Sequence, residues 1–347
     1  MPESVIPSVT LGRTGLTTSK LSLGLWGWGG VGPPEVRVEG ETRIVELLRA
    51  AFAAGIRFLN TAEAYDNEAL LGRLIPEAEP PADLLIATKF GHGKGFAADQ
   101  FRASAERSLR ELNLQQLPLM FVHDPRTEDD MRVVLGPGGA LEGMRKLQSE
   151  GLLGSVGVAT GTLKPLLLAV ECNEFDVIQF PRLYTLLNPV AKASGLLAAA
   201  KAKNIATLSA APFGGAILAT GTRHDPLYTF APALPEVVDA VRRMEQRCEQ
   251  LGVTIAQAAL AFNYTEPLVD VTIPGLVSER EIAEAVSAFA CGLTREQVES
   301  IADAGRIDPV LIGGPEFLAS WPPDRRPSLQ DLQARLNAPR EPTRAGR

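Results

Sequence analysis

Eight short apolar runs of strand character recur along this chain, at residues 21–26, 56–60, 84–89, 119–123, 155–159, 177–180, 206–210 and 269–274. Amphipathic stretches of helical period separate them, at 41–54, 68–75, 99–112, 140–150, 163–171, 191–203 and 235–251, the last running on into 255–263. Strands that are nearly continuously apolar are buried on both faces, and each following stretch is long enough for a helical crossover, so the pattern predicts parallel strands joined by helices. Gly55, Gly151 and Asn204 stand where helices should stop in a left-handed residue before the next strand. Eight such units close most naturally into a (β/α)8 TIM barrel.

Ahead of the first strand, residues 9–16 read as two short strands around a glycine turn, a β-hairpin cap lying across one end of the barrel. After the eighth strand, 278–288 and 294–304 read as extra C-terminal helices. Residues 1–310 are therefore expected to form one barrel domain, and the Pro- and Arg-rich stretch 311–347 a C-terminal extension packed loosely or partly disordered.

A formal net charge of −7 argues against a nucleic-acid partner, which a basic face would attract. No run approaches the roughly 20 apolar residues of a membrane helix, and residues 1–10 carry no signal-peptide pattern, so a cytoplasmic protein without a membrane partner is expected, as a monomer or small homo-oligomer. Cys172, Cys248 and Cys291 are far apart and without CxxC spacing, so neither a disulfide framework nor a metal site is expected.

In a barrel of this kind the site is built where the strands end. Asn60 closes the second strand, Tyr65 sits in the loop after it, Lys89 closes the third and His123 the fourth. A phenol can deliver a proton, an ammonium beside it favours the phenolate, and an imidazole can orient a substrate oxygen. The trio suits hydride reduction of a carbonyl, whose oxygen must be protonated as it gains charge. A lone loop tyrosine more often simply packs at a surface. Lys89 and His123 are harder to read that way, because each ends an apolar run.

The run from Gly55 to Tyr65, with Glu68 and Leu71-Gly72 beyond it, resembles the strand-two motif of the aldo-keto reductase superfamily. The likeness continues through Ala87-Thr88-Lys89, Phe121-Val122-His123 and Ile273-Pro274-Gly275, in family order. The Gly24–Gly30 run, Gly138–Leu141 and Tyr184–Leu187 are similar to the bacterial aldose 1-dehydrogenase and pyridoxal dehydrogenase type members. The resemblance implies an NAD(P)-dependent oxidoreductase interconverting a carbonyl and an alcohol on an aldose-like or other small polar substrate. Tyr65 would be its general acid/base, Lys89 the group that lowers the tyrosine pKa, and His123 the residue that orients the substrate.

Cofactor contacts are implied for Gly24, Leu25, Trp26, Asn60, Thr160 and Gln179, for Ala211, Pro212, Phe213 and Gly214 after the seventh strand, and for Pro274, Gly275, Ser278, Arg280 and Glu284 after the eighth. Substrate contacts are implied for Trp26, Trp28, Tyr65 and His123. The chain departs from the family in three places. Asn60 replaces an Asp and is expected to accept a hydrogen bond from Lys89 without bringing charge. Ala159-Thr160 replaces the usual Ser-Asn. Val277 and Ala285 replace a basic residue and an Asn of the adenosine-phosphate loop, so the cofactor is read as NADP with NAD as the alternative. Two other readings stand beside the enzyme: a cofactor-binding regulatory or sensor protein with weak catalysis, and a Schiff-base lyase using Lys89.

Overall fold

A computed structural model describes residues 5–30, 32, 36–223, 225–308 and 311–312. A hairpin of β1 (Ser8–Thr10) and β2 (Thr17–Ser19) comes first, with Val9 opposite Thr18. The barrel strands are β3 (Leu23–Gly24), β4 (Phe58–Asn60), β5 (Leu85–Phe90), β6 (Leu117–His123), β7 (Leu153–Ala159), β8 (Val177–Pro181), β9 (Ala206–Ala210) and, after a small hairpin of β10 (Leu227–Tyr228) and β11 (Ala231–Pro232), β12 (Val271–Ile273). All neighbours pair in parallel, in chain order from β3 to β12. The ring closes where Ser22 N–H donates to the Thr272 carbonyl and Gly24 N–H to the Pro274 carbonyl, both at 2.9 Å. This is the eight-stranded barrel expected from the alternating runs. The first and last barrel strands are shorter than their apolar runs, because only part of each run pairs on both sides.

Thirteen α-helices are delimited in the described residues. Those that wrap the barrel are α1 (Glu41–Ala53), α2 (Glu68–Glu77), α3 (Ala98–Glu111), α4 (Glu128–Leu135), α5 (Ala140–Ser149), α6 (Leu163–Cys172), α7 (Val190–Ala193), α8 (Leu196–Ala202), α9 (Ile217–Thr220), α10 (Pro235–Leu251) and α11 (Ile255–Tyr264). The two beyond β12 are α12 (Glu279–Ala290) and α13 (Arg295–Ala304). Gly55, Gly151 and Asn204 all adopt positive φ at the stops their sequence predicts. The helix expected over 191–203 instead breaks in two at Gly195, whose φ is 83°. Except for residues 311 and 312, the expected extension lies outside the described residues. Among the described residues no helix is long and apolar enough to cross a membrane.

Strand parity positions the site. Leu85, Ala87, Leu119, Phe121 and Val177 point into the barrel and pack with Leu11, which the N-terminal hairpin inserts from below. Ile86, Phe90, Met120, Val122 and Ile178 belong to the outer cluster under the helices. Because successive side chains alternate, the inward set continues upward as Asn60 on β4, Lys89 on β5, His123 on β6 and Gln179 on β8. Gly157 on β7 has to be glycine here, since a Cβ would stand 2.5 Å from the Phe121 ring.

Candidate active site

Tyr65 ends a short 3-10 turn, Glu63–Tyr65, that follows β4. Glu63 holds the turn down through ion pairs with Lys94 and Arg107 and a bond from Ser104 Oγ. Asn67, buried, accepts from Thr61 Oγ1 and donates to the carbonyls of Leu25 and Trp28, which ties this turn to the loop after β3. The ring of Tyr65 meets that of His123 edge-on at 5.9 Å, and Lys89 Nζ lies 3.5 Å from its hydroxyl. The trio therefore converges at the strand ends.

Lys89 is 1% exposed, and burial pulls its pKa down to about 7 against a smaller upward pull from Glu68. The expected bond to Asn60 does not form: Lys89 Nζ donates to the Thr61 carbonyl at 2.6 Å, while Asn60 Nδ2 donates across the barrel to Gln179 Oε1 at 3.0 Å. A neutral amide has no charge with which to hold the ammonium, and the carbonyl of Thr61 takes it instead. Glu68, also buried, accepts from Thr88 Oγ1 and Ser108 Oγ, and burial raises its pKa.

Burial dominates the electrostatics of Tyr65: with Asp124 adding to it, it pushes the phenol above the ordinary tyrosine range and outweighs any downward pull from Lys89. An ammonium whose own pKa is about 7 is a weak source of positive potential at neutral pH. His123 is driven down to about 3 by burial and then by Lys89, so its imidazole is neutral, and its Nδ1 is buried without a partner.

These groups line a cavity of about 390 Å³ together with Gly24, Leu25, Thr160, Gln179 and Ala211. Trp26 stands at its edge, 5.1 Å from Phe230. Trp28, expected at the substrate, is 1% exposed and lies outside the cavity: Asn67 binds its carbonyl and it packs in the outer cluster. Thr160 Oγ1 is committed to Asp124 Oδ1 at 3.2 Å.

Sequence reasoning missed a polar wall beside His123. Asp124, held at φ 61°, receives Arg126 through Nε and Nη2 and His92 through Nδ1. Burial opposes ionisation of Asp124, but Arg126 and the two histidines hold its carboxyl below the usual range. Its position directly after a strand-end histidine was the available signal.

A second, larger cavity of about 880 Å³ adjoins the first, sharing Val36, Phe213, Gly215 and Gly275 with it. Arg280 and Glu284 line it, whereas Pro212, Gly214, Pro274 and Ser278 line neither cavity. Pro212, Gly214 and Pro274 are buried, and Ser278 instead caps α12 by accepting from Glu281 N–H. Joined through Gly215 and Gly275, the two cavities together offer room for a ligand longer than either holds alone.

Residues 20–306 match the model of the Aldo/keto reductase family. The chain is 28% identical to L-galactose dehydrogenase of Arabidopsis thaliana over 84% of this chain and 92% of that protein. It is 25% identical to pyridoxal 4-dehydrogenase of Microbacterium luteolum, over 86% and 97%. The fold is similar to that of an aldo-keto reductase crystallised with NADPH, with a TM-score of 0.64, 21% identity, and 88% and 91% of the two chains covered.

Proposed function

This chain belongs to the aldo/keto reductase family and is an NAD(P)-dependent oxidoreductase, and from that premise we propose that it interconverts the carbonyl and alcohol forms of an aldose-like substrate, with Tyr65 moving the proton. Family membership sets the lyase reading aside. The observation that carries the proposal is the convergence of Tyr65, Lys89 and His123 on one cavity.

The bound nicotinamide supplies or accepts the hydride. Gln179, its Oε1 occupied by Asn60, has its amide N–H groups free to hold the carboxamide. His123, uncharged near neutral pH, hydrogen-bonds the substrate oxygen. Tyr65 keeps its proton well above neutral pH, which suits it to protonate the oxygen as charge develops there. The fraction of Lys89 that carries a proton then stabilises the phenolate left behind. In the oxidative direction the same phenol has to ionise before it can take the proton of the alcohol.

The polar group of Asp124, Arg126 and His92 and the indole of Trp26, which line the same cavity, support a hydroxyl-rich substrate: hydroxyls bond the charged groups, and the apolar face of a sugar ring stacks on the indole. The likeness to L-galactose dehydrogenase points the same way. The test is turnover of a panel of aldoses and simple aldehydes by the protein and by Tyr65→Phe. Loss of the hydroxyl should cut turnover by about 10²-fold or more, the usual share of a general acid, with cofactor affinity nearly intact. An unchanged rate would refute the assignment.

A further inference from the structure

The larger cavity carries an arrangement that the expected phosphate-binding loop does not have. An anion site needs free backbone N–H groups at the start of α12. Here the chain fills that position itself: Glu281 Oε2 accepts from Val277 N–H at 2.9 Å, and Glu281 N–H is taken by Ser278 Oγ at 3.2 Å. Glu284 lies three residues on, on the same face of the helix, with Oε1 near Thr254 Oγ1 at 3.4 Å. Glu281 and Glu284 are each half-buried and each has a second carboxylate oxygen without a hydrogen bond.

Around this pair the cavity holds four carboxylates, Glu245, Glu249, Glu281 and Glu284, against two guanidinium groups, Arg223 and Arg280. Both arginines are exposed, so solvent screens their charges more than those of the half-buried Glu281 and Glu284. Glu245 is already engaged by Thr222 through N–H and Oγ1.

We infer that Glu281 and Glu284 select a free ribose diol over a ribose 2′-phosphate, so the protein is specific for NAD(H). A 2′-hydroxyl donates to a carboxylate, whereas a phosphate dianion in the same place is repelled by both carboxylates and finds Val277 N–H already taken. The inference rests on the nicotinamide reading above and deepens it.

The test is calorimetric titration of the purified protein with NADH, NADPH, ADP-ribose and 2′-phospho-ADP-ribose. The last two isolate the adenosine end from the catalytic cavity. The 2′-hydroxyl member of each pair should bind tighter by about tenfold or more, as expected for like charges a few Å apart at a half-buried surface. The gap should narrow as salt is raised. In the double variant Glu281→Gln, Glu284→Gln it should fall to within a few-fold, chiefly because the phosphorylated ligands bind better. Equal or tighter binding of the phosphorylated ligands by the unaltered protein would overturn the inference, and so would an undiminished gap in the double variant. ADP-ribose binding with no response to either dinucleotide would instead sink the nicotinamide reading, leaving the adenosine selectivity intact. If none of the four binds, both fall.

Discussion

Replacing Asn60 by Asp introduces a carboxylate beside the buried amine on which the proton chemistry depends. Asn60 stands opposite Ala87 in the β4–β5 register, so Lys89, two residues further on, is its diagonal neighbour on the inward face. Such neighbours are within reach of a long side chain. At a separation of roughly 6 Å and an effective dielectric constant near 20, the attraction is about 3 kcal/mol, or roughly two pK units. The Lys89 pKa, about 7 in the unaltered protein, should then rise to roughly 9. If the ammonium stabilises the developing phenolate, the rate of carbonyl reduction falls as pH rises through about 7 in the parent and only near 9 in the variant. At pH 8.5 the variant should hold on to its neutral-pH rate better by on the order of tenfold, the ratio of charged fractions. Single-turnover hydride transfer followed from pH 5.5 to 10 measures this directly. Asn60→Asp also removes the donor to Gln179, so weaker cofactor binding is expected and must be saturated out. An alkaline limb that stays in place would refute the claim that the charge on Lys89 governs the step.

Two more predictions follow from the same groups. The folded-state pKa of Lys89 lies below its unfolded value, so holding it protonated opposes folding fully below pH 7, and the penalty lifts as pH rises from 7 toward 10.5. Lys89→Met should therefore abolish turnover yet be more stable at pH 6 by a few kcal/mol, out of a linkage limit of on the order of 5 kcal/mol, with the gain shrinking at pH 9.5; urea unfolding at the two pH values reads it, and equal gains at both would contradict it. Asp124→Asn removes a charge that raises the Tyr65 pKa, and Asn tolerates the left-handed backbone at this position. The pH at which alcohol oxidation sets in should move down by up to about one unit with little loss of stability; an upward shift would show that Asp124 does not act on the phenol through its charge.

The barrel was readable because its signals are local. An apolar run of four to six residues, a helical period and a stop residue each report their own element, as Gly55, Gly151 and Asn204 do. Helix α4 escaped notice because it is short; its signal was Thr127 with Asp130, a capping box in which each side chain accepts from the other residue's backbone. Lys89 and His123 stood out as polar groups ending apolar runs, and Tyr65, in the loop after the second strand, was legible through the strand-two motif. What each of them bonds was not. The partner of Lys89 is a backbone carbonyl, which every residue possesses, and that of Asn60 lies 119 residues away. The aromatic run 26–28 reads alike at both tryptophans, yet the turn aims one at the cavity and buries the other. Glu281 was overlooked beside Arg280 because charge alone does not reveal that a carboxylate has folded back onto its own loop.

The seam between β3 and β12 has a kinetic meaning. Its bonds join Ser22 to Thr272 and Gly24 to Pro274, so the ring cannot close until some 250 residues of intervening chain are in place. Closure is therefore the most non-local event in assembly, and contacts of that separation are slow to form. A nascent chain would hold an open sheet with two exposed edges until the last strand emerges. Gly24 and Gly275 also flank the cavity that the dinucleotide is proposed to enter. A ligand lying there bridges the final joint to form, and by holding it shut should slow unfolding.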